Sequence, residues 1–152
     1  MADGRTHAKA TLVATPIVAG VVFVLRDNVE LAAWAAAGCI SGILLSPDLD
    51  QESVSHAEWK IIRATLGIGY VWLAFWGPYA SIIRHRSPLS HAPLFGTALR
   101  LLYLWGGAAL LAYLFSDWRL PPLEWFTQQP EFWAAAVGLI LSDLLHWVFD
   151  IL

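Results

Sequence analysis

Long uncharged runs alternate with short polar breaks along the whole chain. A polar start, in which Asp3 or Thr6 can cap a helix running through Lys9, leads into the uncharged stretch 10–25. Arg26-Asp27-Asn28 is a short polar turn, and a second apolar helix is predicted over 31–45, stopped by Ser46-Pro47. Crossing a bilayer takes about 20 residues, with a lower bound of about 17, so flanking residues must complete each of these spans. The acidic turn Ser46-Pro47-Asp48-Leu49-Asp50-Gln51-Glu52 comes next, then a polar, helical segment through Lys60 and Arg63. Residues 64–83 are uncharged but carry Gly67, Gly69, Gly77 and Pro78 among several aromatic side chains. Pro88 and Pro93 keep 84–91 from forming a continuous helix. A long helix over 95–115, a proline-rich loop over 118–130 and a last helix starting near Glu131 complete the pattern.

Composition turns this pattern toward the bilayer. Hydrophobic residues make up 58% of the 152 and charged residues only 14%, where a soluble domain carries about a quarter charged. Nine tryptophans fit the headgroup boundary, which indoles favour. A soluble, wholly helical protein with a large core is the competing reading. The length suits a single membrane-embedded domain over 1–152. A net charge of −3 gives no reason to expect nucleic acid as a partner. The lone Cys39 excludes an internal disulfide, and the charges at Arg26, Asp27 and Glu30 argue against reading Ala36-Ala37-Gly38-Cys39 as a lipoprotein cleavage box.

Basic residues then choose a topology. If 64–83 lies re-entrant or along the interface, one side holds Arg5, Lys9, Lys60, Arg63, Arg84 and Arg86, with Arg100 close by. The other side holds only Arg26 and Arg119. Such a bias marks the cytoplasmic side. The expected architecture is therefore all-α, an integral membrane helical bundle of about four transmembrane helices plus that re-entrant or interfacial segment, with both termini cytoplasmic.

That topology gathers the unusual polar residues at one membrane face. His7 precedes the first span, Asp48 and Asp50 follow the second, and His85 and His91 precede the third. Asp143, His146 and Asp150 occupy the closing turns of the fourth. At about 100° per residue these last three fall within about 60° on one helix face, an Asp-x-x-His-x-x-x-Asp array that can serve a metal cluster. Ionisable residues in such apolar surroundings are functional by default. The blander readings are a fraying C-terminal turn, helix-end turn chemistry at Ser-Pro-Asp, and an interfacial or capping role for His7. His56 has no partners and is expected to be solvated. Arg63, Arg84 and Arg86 could serve anionic lipid headgroups; Arg86, between two histidines, is better suited to a phosphate or carboxylate.

With these residues in hand, the chain resembles a bacterial family of uncharacterised metal-binding membrane proteins. The match rests on Gly4-Arg5-Thr6-His7, Ser46-Pro47-Asp48-Leu49-Asp50 and His85-Arg86-Ser87-x-x-Ser90-His91, with Pro78-Tyr79 and Gly96-Thr97 around the last. It is similar, more distantly, to the YdjM-type membrane-bound metal-dependent hydrolases. The resemblance implies a bacterial inner membrane protein with a metal site built from His7, Asp48, Asp50, His85, His91, His146 and one of Asp143 or Asp150.

Histidine and carboxylate ligands without cysteine suit zinc, manganese or iron, and so many ligands exceed what one tetrahedral ion needs, so two divalent ions are expected. A dinuclear site can generate hydroxide and stabilise both oxygens of a displacement. At headgroup level on the cytoplasmic face, that favours hydrolysis of a phosphorylated, lipid-like substrate within the membrane. The candidate catalytic residues are Arg86, as the anion contact, and Asp50. The alternative is a non-catalytic membrane metal-binding protein for storage, sensing or anchoring a complex.

Overall fold

A computed structural model describes residues 4–50, 63–64, 69–85, 87–116 and 118–151. Among them the chain is all-α, without strands. The polar start and first apolar run form one helix, α1 (Gly4–Arg26), that carries Pro16 inside it. Asp27 takes a left-handed conformation (φ 46°) to turn the chain. Asn28 then caps α2 (Val29–Ser41), its side chain accepting from the Leu31 amide at 3.0 Å. A turn over 42–46 and a 3-10 helix, Pro47–Asp50, bring the chain back.

The second predicted span is thus shorter than 31–45 implied. At 13 residues α2 is about 20 Å long, and the turn and the 3-10 helix complete the return of the chain. Among the described residues, three other helices are long and apolar enough to cross a membrane: α1, α5 (Pro93–Phe115) and α7 (Pro130–Ile151). The 64–83 run appears as α3 (Gly69–Ile82), which packs Trp72, Phe75, Trp76 and Tyr79 against Leu49, Leu99 and Tyr103. The Tyr103 hydroxyl donates to the Phe75 carbonyl at 2.6 Å.

Between α3 and α5 the prolines act as expected. Ser87 and Ala92 are both extended, and each precedes a proline that opens a helix: α4 (Pro88–His91), then α5. The proline-rich loop contains one more turn of helix than expected, α6 (Leu123–Thr127).

α7 packs against α1, α2 and α5. Its crossing with α2 is a backbone contact, since a Cβ at Gly138 would lie 2.0 Å from the Ala35 carbonyl oxygen. One at Gly38 would lie 1.9 Å from that of Ala135. Thr11 of α1 and Ser142 of α7 share a hydrogen bond of 3.1 Å.

The distribution of polarity is inverted relative to a water-soluble domain. Leu12, Val13, Ile17 and Val24 of α1 and Leu102, Leu110 and Leu114 of α5 face outward. Buried inside are His7, Thr11, Asp50, Ser90, His91, Thr97, Arg100, Ser142, Asp143 and His146. Exposed apolar area on this scale marks contact with a membrane or a partner, and a polar interior needs internal pairing.

Candidate metal centre

Four elements deliver metal-type side chains to one end of the bundle. His7 comes from the first turn of α1, Asp48 and Asp50 from the 3-10 helix, His85 and His91 from the segment between α3 and α5, and His146 and Asp150 from the last turns of α7. Among the described residues they form three overlapping groups: His7, His146 and Asp150; Asp48, His91 and His146; Asp50, His85 and His91. Within each group the nearest ligand atoms all lie within 4.8 Å of one another. His91 and His146 each belong to two groups, which makes one continuous centre.

The spacing fits ligands better than ion pairs. Two ligands about 2.1 Å from one ion are held about 3.4 Å apart in a tetrahedral arrangement. His146 Nε2 lies 3.4 Å from Asp150 Oδ2 and 3.6 Å from Asp48 Oδ1, and His7 Nε2 lies 3.2 Å from Asp150 Oδ1. The rings of His7 and His146 stack at 3.8 Å between centroids. Buried nitrogens also lack hydrogen-bond partners here: His7 Nδ1, His91 Nε2 and His146 Nε2. Native proteins rarely tolerate one such atom without a reason, and a cation supplies one for several together. The donor set therefore fits a divalent ion.

Neighbouring groups orient these ligands. Ser90 Oγ donates to the Ser87 carbonyl at 3.1 Å and lies 2.9 Å from His91 Nδ1, which also has Asp50 Oδ2 at 3.5 Å. Two acceptors at Nδ1 place the ring proton there and leave the Nε2 lone pair for the centre. Burial opposes the charge on Asp50, but hydrogen bonding, that of His91 foremost, outweighs it and holds its carboxyl at about 2. His85 Nδ1 lies 2.7 Å from Asp50 Oδ1. His85 is the most exposed member, so His85→Ala is expected to weaken zinc binding less than His91→Ala, as read by competition with a chelating dye.

Beside His7, Asp48 and His146 lies a cavity of about 30 Å³, bordered also by the hydroxyls of Thr11, Ser46 and Ser142. That is room for about one water molecule.

Asp143 stands apart. It is fully buried on the same α7 face as His146, but its carboxylate engages the Arg100 guanidinium and the Thr97 hydroxyl, and it belongs to none of the three groups. The helix-face geometry expected from sequence holds, while the side chain turns to α5. Arg86 and His56 lie outside the described residues. Arg84 is exposed. Ser90 and Thr97 were noted in the sequence only as motif residues, and Arg100 and Ser142 were given no site role; the signal that could have found Arg100 is a lone charge inside a long apolar helix.

Known proteins bear on this geometry. The family model described as "Uncharacterized metal-binding protein (DUF2227)" matches residues 2–152. A chain from Aquifex aeolicus (strain VF5), called "Uncharacterized protein", is 32% identical over an alignment of 123 residues, with 70% of this chain and 79% of that one covered. No solved structure matches.

Proposed function

The chain belongs to this family of uncharacterised metal-binding proteins, and from that premise we propose that it is a membrane-embedded, metal-dependent hydrolase acting on a phosphoester at headgroup level. The observation that carries this reading is the chaining of three ligand groups through His91 and His146, next to a polar cavity the size of a water. Seven side chains are more than one ion uses, so two ions, of zinc, manganese or iron, are the natural complement. When bound, they would supply hydroxide at neutral pH and stabilise charge on the phosphoryl oxygens.

The protein's own residues divide the remaining work. His7, Asp48, His146 and Asp150 hold one position, with Asp50, His85 and His91 holding the other. The Ser142 and Ser46 hydroxyls and the Asp48 carboxylate border the cavity and can orient a water toward substrate. Asp50, ionised and buried, fixes both histidines of its group. Arg86, between His85 and Ser87, contacts the anionic group of the substrate.

In this reading α1, α5 and α7 cross the bilayer, α2 with its following turn makes a fourth crossing, and 64–83 lies at the interface. The excess of lysine and arginine on the metal side makes that side cytoplasmic, in a bacterial inner membrane. The substrate is then a lipid or another phosphorylated molecule reaching the headgroup region.

Burial of His7, Asp50, His91 and His146 favours a second reading, a closed site for storage or sensing, because a catalytic site keeps a position open. Metal analysis of the purified protein, followed by zinc- and manganese-dependent hydrolysis of 4-nitrophenyl phosphate and phosphatidate vesicles, separates them. Two ions per chain with turnover lost in Asp50→Asn is the expected result. Bound metal without turnover on either substrate favours the closed site, and a chain that binds no divalent ion overturns both.

A further inference from the structure

We infer that Arg100 is a positioning residue that sets the separation of His91 and His146, the two ligands shared between groups; this rests on the metal-binding reading above. Arg100 is 1% exposed and sits in an apolar helix long enough to cross a membrane. A buried charge in such surroundings is sustained only by close partners. Its guanidinium has them in two directions. Nη2 pairs with Asp143 Oδ2, an oxygen that also accepts from the Thr97 hydroxyl. Nη1 donates to the Ser90 carbonyl at 2.9 Å.

Each partner lies next to a shared ligand. Asp143 precedes His146 by one turn of α7, and Ser90 immediately precedes His91. The Ser90 backbone rests directly on α5, where a Cβ at Gly96 would come 2.1 Å from the Ser90 oxygen and 3.2 Å from Arg100 Nη1. Arg100 is therefore a brace from α5 to both histidine-bearing elements, whose rings stand 5.9 Å apart between centroids. The guanidinium is a rigid fork, so its two bonds fix a distance as well as a charge pairing. A lysine ammonium, a single point of charge, can keep the pair with Asp143 but cannot reproduce both directions.

The test is a double-mutant cycle on the full chain in detergent, with zinc or manganese alone as probe and a chelating dye as competitor. Arg100→Lys is expected to lower ion affinity by about 10- to 100-fold, the cost usual for losing a group that orients a ligand. In a His91→Ala background the same change is expected to leave the remaining affinity unaltered, because lysine keeps the Asp143 pair beside His146 and the ligand that the lost Ser90 bond orients is gone. A purely structural Arg100 would lower thermal stability in both backgrounds and spare the coupling. Wild-type affinity in Arg100→Lys, or a loss that adds in full to that of His91→Ala, overturns the inference while leaving the metal centre standing. A wild-type chain that binds neither ion overturns the metal reading and this inference with it. Should Arg100→Lys not fold, Arg100→Met with Asp143→Leu carries the same cycle, since it leaves no buried charge unpaired. If neither folds, the pair is required for folding itself and the inference fails.

Discussion

Alanine in place of His146 is expected to remove tight divalent-ion binding, with a loss exceeding the about 10- to 100-fold that an orienting neighbour costs. The reason is connectivity. His146 belongs to two of the three ligand groups, stacks on His7 and approaches both Asp48 and Asp150. Its removal takes one ligand from each of those two groups and leaves the Asp48 and Asp150 carboxylates without the imidazole between them. The effect should also appear as stability. An ion at a thousand times its dissociation constant stabilises the folded state by about 4 kcal/mol, so wild-type protein should gain several degrees in melting temperature with saturating zinc. His146→Ala should gain almost nothing. Wild-type affinity and a wild-type thermal shift in this variant would remove His146 from the centre.

Gly138→Ala, like Gly38→Ala across the same crossing, is expected to be among the most damaging small substitutions outside the metal residues. Its new methyl group would meet the Ala35 carbonyl oxygen at 2.0 Å and the Cys39 amide nitrogen at 2.7 Å. Both are backbone atoms of a packed helix, which cannot rotate away as a side chain can. Overpacking a core usually costs about 1–3 kcal/mol, and a backbone clash belongs at or above the top of that range. Gly20→Ala is the control, because nothing lies within 4 Å of its added carbon. Alanine there gains about 1 kcal/mol in helix propensity. Thermal unfolding in detergent should therefore rank Gly20→Ala at or above wild type and Gly138→Ala well below. An unchanged melting temperature for Gly138→Ala would mean that α2 and α7 do not cross this closely.

How far the sequence could be read depended on the range of the interaction. The ligand residues were legible because acidic and imidazole side chains are conspicuous in a chain that is 58% hydrophobic. Their convergence at one end of the bundle was legible because successive apolar helices run back and forth, returning the chain to the same end at every second break. The helix breaks at Ser87 and Ala92 followed from proline sterics, which are local. Asp143 shows where such reasoning stops. Its helix position was correct, but its partner Arg100 lies 43 residues away on another helix. No periodicity within α7 reports which of two nearby centres a carboxylate will face. The shortening of α2 was hidden for a related reason: residues 42–45 are as apolar as the helix before them, apart from one glycine, and the turn they make brings Gly42 against Ser142 of another helix. Similarly, α6 interrupts a loop whose prolines announced irregular backbone.

The route by which the metal centre is assembled has a consequence for the order of biosynthesis. His7 leaves the ribosome well before Asp150, yet the two side chains end 3.2 Å apart. At ordinary translation speeds, on the order of ten seconds separate them. Until α7 is in place, a nascent chain offers at most the Asp50, His85 and His91 group, because each of the others needs His146. Ion capture by the complete centre is therefore an event of the finished fold. Loading should be achievable after purification of the metal-free form, without the translation machinery.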